Sequence, residues 1–185
     1  MKILLASIRL AIFSILICCV AYPLAVGGFA VIASPHGTEG SLVRASDGTV
    51  VGSSLVGQVF TAPIYFWPRP SAVDYNAAAA GGSNLSPASE KVRERGAAMV
   101  ALHGATPEQP LPADLATASG SGLDPHISLE GALFQAPRVA AARGLALDRV
   151  RAVAQEHATS NPLAPGAIVN VLRLNLALDA LELNP

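Results

Sequence analysis

Hydrophobic positions along the chain fall into one long unbroken block and then into short, punctuated groups. The block runs from Leu10 to Ala33. No Lys, Arg, Asp or Glu occurs between Arg9 and Glu39, and twelve of the 24 residues from Leu10 to Ala33 are Leu, Ile, Val or Phe. At roughly −0.3 to −0.6 kcal/mol each, these favour insertion into a bilayer by about 4–7 kcal/mol before Ser14, Pro23 and the glycines subtract from it. About 20 apolar residues cross the hydrocarbon core as a helix, so the block predicts one membrane-spanning helix. It exceeds the apolar region of a cleaved signal, about 7–15 residues. Bulky Ile17 ahead of Cys18 and Cys19 also argues against a lipoprotein. Pro23 predicts a bend near the middle, which membranes tolerate.

Ser34-Pro35-His36-Gly37 stops that helix. Leu42 and Val43, then Val50 and Val51, flank Asp47-Gly48, which signals a hairpin, and strand character is expected over 41–60. Ala62 to Tyr75 holds Tyr65, Phe66, Trp67 and Tyr75 among Pro63, Pro68 and Pro70. Those prolines preclude a helix or a central strand, leaving a loop pinned by buried aromatics or an exposed docking loop. Ser86-Pro87 predicts a helix start, with Val92, Met99 and Val100 inward and Gly104 as the stop. Thr106 to Pro112 is a turn.

Ser128 caps a second helix, Leu129 to Arg143, with Leu133, Ala136, Val139 and Ala140 as its buried stripe, Pro137 as a kink and Gly144 as its end. A third helix is expected over about Leu147 to Ala158, with Val150, Val153, Ala154 and His157 on one side, stopping at Asn161-Pro162. From Ile168 to Asp179 the residues Leu172, Leu174, Leu176 and Leu178 alternate with others. That is strand spacing, read as a strand through Leu172 and then a turn or helix that Asn175 could cap. The fold class is α+β: one N-terminal transmembrane helix followed by a single mixed α/β extracytoplasmic domain. The divisions are residues 1–9, 10–33 and 34–185.

Charge sets the orientation expected. Lys2 and Arg9 precede the helix, and Arg44 follows it beside Glu39 and Asp47. The positive-inside rule then puts the N-terminus in the cytoplasm and the domain outside. A formal net charge of −1 offers no basic face for nucleic acid. Both cysteines lie in the apolar block, so the domain has no disulfide and no thiolate metal ligand.

Three groups of residues invite a chemical reading. Ser119, Ser121, Asp124 and His126 have the residue types of a hydrolase triad, but triads are assembled from distant segments and no G-x-S-x-G elbow is present. A turn is the simpler reading, Asp and Ser satisfying backbone amides while glycines supply positive φ. Asp114, Asp124 and His126 match no metal-ligand spacing. Gly81, Gly82, Ser83 and Asn84, ahead of the expected helix start, are candidates for an anion nest that could contact nucleotide, although no P-loop Lys follows. His36, His103 and His157 read as surface or helix-end residues.

Several stretches together resemble one family. They are Gly52-Ser53-Ser54-Leu55-Val56-Gly57-Gln58-Val59-Phe60, Tyr65-Phe66-Trp67-Pro68-Arg69-Pro70-Ser71-Ala72 and Gly81-Gly82-Ser83-Asn84-Leu85. The run from Asp114 to Ser128, DLATASGSGLDPHIS, follows, then Val169-Asn170-Val171-Leu172 and Leu174-Asn175-Leu176-Ala177-Leu178-Asp179. The chain resembles the KdpC family, C subunits of the bacterial Kdp potassium-transporting P-type ATPase. The resemblance implies a single-pass inner-membrane protein, in complex with the channel-like KdpA, the ATPase subunit KdpB and the small KdpF. It implies a non-catalytic role, raising the affinity of KdpB for ATP while the complex imports potassium. Pro137, where the family pattern has Val, and Ala80, where a Ser often precedes the glycine pair, depart from it. The alternatives are a membrane-anchored periplasmic hydrolase using Ser121 or Ser119 with His126, or a binding module unrelated to potassium.

Overall fold

A computed structural model describes residues 1–45, 47–160 and 166–183. The chain divides into two units, Met1–Leu42 and Val43–Pro185. The first is helical. α1 (Lys2–Ile15), a π turn (Leu16–Ala21) and α2 (Tyr22–Ala33) form one rod of 32 residues, the one helix among the described residues long and apolar enough to cross a membrane. It begins eight residues before the apolar block. Pro23 has no N–H to return to the preceding turn. The turn before it is widened accordingly, and the Tyr22 N–H reaches back five residues to the Ile17 carbonyl. The short α3 (Pro35–Thr38) follows.

β1 (Leu42–Arg44) and β2 (Val50–Ser53) pair around the expected turn. Gly48 adopts φ +85°, and the Asp47 carboxylate accepts from the Thr49 N–H at 2.9 Å and its hydroxyl at 2.6 Å. Strand character ends at Ser53, sooner than expected. Beyond it the chain bonds to loops instead of to a neighbouring strand: the Ser53 hydroxyl accepts from the Leu55 N–H, and the Gly57 N–H donates to the Leu123 carbonyl.

The rest of the second unit comprises α4 (Glu90–His103), α5 (Ala113–Ala116), β3 (His126–Ser128), α6 (Leu129–Arg143), α7 (Leu147–Glu156), β4 (Ala158–Ser160), β5 (Ala167–Asn170) and α8 (Val171–Leu183). The three strands form an antiparallel sheet in the order β3-β5-β4, with Ile127 opposite Val169 and Thr159 opposite Ile168. Ile127 and Val169 meet Ala132, Ala136 and Val139 of α6, Val150 and Ala154 of α7, and Leu174 and Leu178 of α8 in one core, closed by Phe66 and Leu115. Alanines on α6 and α7 let the layers approach closely.

Four expectations need correction. The helix expected at Ser86-Pro87 starts at Glu90; the Ser86 carbonyl and hydroxyl instead accept from the Ser89 and Ala88 amides in a turn, and Val100 is exposed. α6 buries Ala136, Val139 and Ala140 as expected, but Leu133 is only half-buried. α7 ends at Glu156, and Ala158 already belongs to β4; the Asn161-Pro162 stop lies outside the described residues. The strand read through Leu172 ends at Asn170, after which residues 171–183 are helical. Val171, Leu174, Asn175 and Leu178 are the buried positions of α8, together with Leu172. The alternating leucines mimicked strand spacing, while the i, i+3, i+4, i+7 pattern beneath them decided the outcome. Asn170 caps this helix, its Oδ1 accepting from the Arg173 N–H at 3.1 Å.

Candidate functional site

The 114–128 run folds back on the aromatic–proline loop as a polar knot. Ser119 and Ser121 face each other, Oγ to Oγ 3.1 Å, and their hydroxyls accept from the Gly122 and Leu123 amides. The Ser119 N–H donates to the Pro70 carbonyl at 2.9 Å. Ser71 stitches the other side: its hydroxyl donates to the Gly122 carbonyl at 2.7 Å and accepts from the Val73 and Tyr75 amides. Gly122 sits at φ +69°, and a Cβ there would lie 2.5 Å from Val73 Cγ2 and 2.8 Å from the Gly81 carbonyl oxygen. Only glycine fits that crossing.

Asp124 is the charged centre of the knot. Its Oδ2 accepts from Arg69 at 2.9 Å, and its Oδ1 accepts from the His126 N–H at 3.0 Å, with His126 Nδ1 at 3.5 Å. Burial alone would raise its pKa, but the hydrogen bonds from His126 and Arg69 outweigh burial and hold it at about 2. Asp114 does separate work. It accepts from the Ser128 N–H at 2.6 Å and its hydroxyl at 3.0 Å, orienting Ser128 to cap α6 through the Gly131 N–H.

The aromatic loop is ordered, with Phe66 fully buried. Two buried amides read its backbone. Asn175 on α8 accepts from the Phe66 N–H at 2.8 Å and donates to its carbonyl at 3.0 Å. Gln135 on α6 does the same for Trp67, at 2.9 and 3.1 Å. Arg138 donates to the Pro63 and Tyr65 carbonyls and stacks 3.8 Å from the Trp67 ring centre, and burial lowers its pKa to about 10. Arg143 donates to the Ile64 carbonyl and pairs with Asp179 at 2.7 Å. A loop with no ladder partner thus has its carbonyls met by side chains.

The hydrolase set is only half assembled. Asp124 and His126 meet, but among the described residues neither Ser119 nor Ser121 bonds to His126; the serines bond to each other. Asp114, Asp124 and His126 do not converge, and no group of three or more His, Cys, Asp or Glu among the described residues could hold a metal. Gly81, Gly82, Ser83 and Asn84 precede a turn, not a helix start. The Gly81 N–H already donates to the Ser121 carbonyl at 2.7 Å, and a Cβ on Gly82 would lie 2.8 Å from the Gly120 carbonyl oxygen. One of the nest's four amides, that of Gly81, is thus already engaged by the knot.

His103, at the end of α4, lies between Trp67 and Phe134, tilted against the first ring at 5.3 Å and edge-on to the second at 6.2 Å. Burial, then the Arg138 charge, push its pKa down. Reading the sequence alone missed Arg69, Ser71, Gln135 and Arg138. The available signal was a polar residue inside an apolar stripe: Gln135 directly precedes Ala136, and Asn175 follows Leu174.

The family model described as KdpC, K+-transporting ATPase, c chain, matches residues 4–180. A potassium-transporting ATPase KdpC subunit of Parvibaculum lavamentivorans is 56% identical over 184 residues, covering 98% of each chain. Those of Polaromonas naphthalenivorans and Cereibacter sphaeroides are 52% identical, over 88% of this chain and 87% of the relative, and 50% identical, over 87% and 88%. Residues 4–180 take in the apolar rod, the aromatic loop, the knot and the helix that clamps them, and on that match the chain belongs to the KdpC family.

Proposed function

We propose that this chain is a non-catalytic accessory subunit of an ATP-driven potassium uptake complex. It sits in the bacterial inner membrane, crossing once, with its N-terminus in the cytoplasm and residues 34–185 on the periplasmic side. Its partners are the channel-like KdpA, the ATPase subunit KdpB and the small KdpF. The observation that carries this reading is the family match over residues 4–180, supported by relatives whose own names are those of potassium-transporting ATPase subunits. The hydrogen bonding of the knot agrees with it. The serine hydroxyls and the Asp124 carboxylate are spent on holding two loops in register, which suits a recognition surface better than a reaction centre.

A periplasmic domain does not meet cytoplasmic ATP. Its influence on the ATP affinity of KdpB therefore runs through contact that favours one conformation of the partners. Affinity-tagged chain, extracted from membranes in mild detergent, is expected to bring down a polytopic channel-like protein and a P-type ATPase. Recovery of the tagged chain alone, together with undiminished potassium uptake in cells from which it is deleted, would contradict the proposal. Direct nucleotide contact at Gly81, Gly82, Ser83 and Asn84 is the competing route. It requires saturable ATP binding by the full chain in detergent that Gly82→Val abolishes.

A further inference from the structure

The rod of the first unit carries a hydrogen-bond defect, and it lies inside the apolar block. A helix carbonyl is met by the N–H four residues on, or five in a π turn. For Cys18 those residues are Tyr22 and Pro23. The Tyr22 N–H goes to the Ile17 carbonyl, and proline has no N–H to give. The Cys18 carbonyl is therefore left without a backbone donor. Side chains do not make up the loss. Among the described residues of the rod, the one side-chain hydrogen bond runs from the Ser7 hydroxyl to the Ile3 carbonyl, at 3.0 Å.

Depth makes the defect matter. Cys18 stands eight residues past Leu10, about 12 Å along the block at about 1.5 Å per residue. In a hydrocarbon core about 30 Å thick, counted from Leu10, that position lies beyond water and lipid headgroups. Acyl chains offer no donor, and a backbone polar group left bare in hydrocarbon is costly. Cys18 and Cys19 are exposed, and so are Leu16, Ile17 and Val20 around them, so the carbonyl is open to a neighbour. What can satisfy it at that depth is a side-chain donor on another membrane helix.

We infer that the Cys18 carbonyl is a docking point for a transmembrane helix of a polytopic partner, which brings it a hydroxyl or carboxamide donor from Ser, Thr, Asn or Gln. The inference rests on the pump reading, which supplies such a partner. A second copy of this chain is a poorer match. At the same level it offers the thiols of Cys18 and Cys19, which are weak donors, with the Tyr22 phenol a turn further on. Pro23 sets up the contact without making it: by withholding one N–H it keeps an acceptor open on a surface that is otherwise apolar. Lipid tails are as apolar as the helix, so apolar burial selects no partner in that layer, and an open acceptor fixes the register of two helices.

The chain has two cysteines, both in the π turn. Feeding carbonyl-13C cysteine to cells that make the Cys19→Ala chain therefore labels the Cys18 carbonyl alone. The labelled full chain is reconstituted in phosphatidylcholine vesicles, with and without the unlabelled polytopic protein that tagged chain captures from membranes. The infrared band of the labelled carbonyl is expected at the free frequency in the chain alone, and at the lower, hydrogen-bonded frequency with the partner. Pro23→Ala restores the missing N–H with a good helix former. Its band is expected at the bonded frequency without any partner. Capture of the partner by Pro23→Ala is expected to fall about threefold, and at most about tenfold, the worth of one hydrogen bond between membrane helices. Capture of the partner with an unmoved Cys18 band would overturn the inference and leave the pump reading standing. Failure to capture any polytopic protein would overturn both. A band that moves in vesicles of the chain alone as its density rises would make a second copy the occupant, and would overturn the inference too.

Discussion

Helices α4 and α6 are nearly equal in length, 14 and 15 residues. Both follow a serine, and both end on a glycine in the left-handed region, Gly104 at φ +64° and Gly144 at φ +66°. Yet α6 buries Gly131, Ala132, Gln135, Ala136, Val139 and Ala140, whereas α4 buries no residue. Helix ends follow from local signals that any stretch can carry. Burial follows from what lies opposite. α6 faces the sheet, α7 and the aromatic loop, so its apolar stripe has a partner at every turn. α4 carries a run of charges near its start (Glu90, Lys91, Arg93, Glu94, Arg95), and its Met99 and His103 share a cavity wall with Trp67, His103 tilted against that ring. The pair teaches that the body of this domain is built from α6 inward, with α4 laid on its outside.

The sharpest contrast comes from the buried amides. Asn175→Leu strands the Phe66 N–H and carbonyl, both buried. At about 1–3 kcal/mol for each unsatisfied group, the domain should lose about 2–6 kcal/mol. Gln135→Leu should act alike through Trp67. Leu102→Ala on exposed α4 should cost no more than about 0.5 kcal/mol. Denaturant midpoints of the full chain in detergent measure all three, and similar losses on both helices would erase the distinction.

Glycines sharpen it further. Gly122→Ala meets both a left-handed backbone and hard neighbours, Val73 and the Gly81 carbonyl, and should cost about 2–4 kcal/mol. Gly104→Ala and Gly144→Ala have open space and only the backbone penalty, about 1–2 kcal/mol each. The same midpoints separate packing in the knot from strain at a helix end.

Acid gives the smallest effect, with a definite sign. His103 has its pKa lowered by burial and then by Arg138, so the folded state holds its proton less tightly than the unfolded chain. Its contribution is complete above the ordinary histidine range and is lost as the pH falls through it. The midpoint should drop between about pH 7 and pH 5, and His103→Gln should remove that part of the slope. Asp124, held at about 2, acts in a separate window: its contribution is present above the ordinary carboxylate value of about 3.9 and is lost as the pH falls toward 2.

Much of this was legible because the signals were local. The hairpin at Asp47-Gly48, the Ser128 cap, the Gly104 and Gly144 ends and the apolar rod each rest on residues adjacent in sequence. The turn reading of the 114–128 run was legible for the same reason, since Ser119 and Ser121 bond to amides two or three residues away. What stayed hidden was long-range. Nothing near Arg69 says that it pairs with Asp124 55 residues on, or that Gln135 reads the backbone of Trp67, 68 residues away. The α8 start was misread because Leu172 to Leu178 satisfies two periodicities at once. The choice fell to the Asn170 cap and to the core that Leu174 and Leu178 fill.

The proposed influence on ATP affinity through protein contact is read from the ATP dependence of potassium-stimulated ATP hydrolysis in membranes from cells with and without the chain. Loss of the chain is expected to move half-maximal hydrolysis to higher ATP, and the purified chain in detergent is expected to show no saturable ATP binding. An unchanged ATP dependence, or saturable binding by the purified chain that Gly82→Val abolishes, would contradict it.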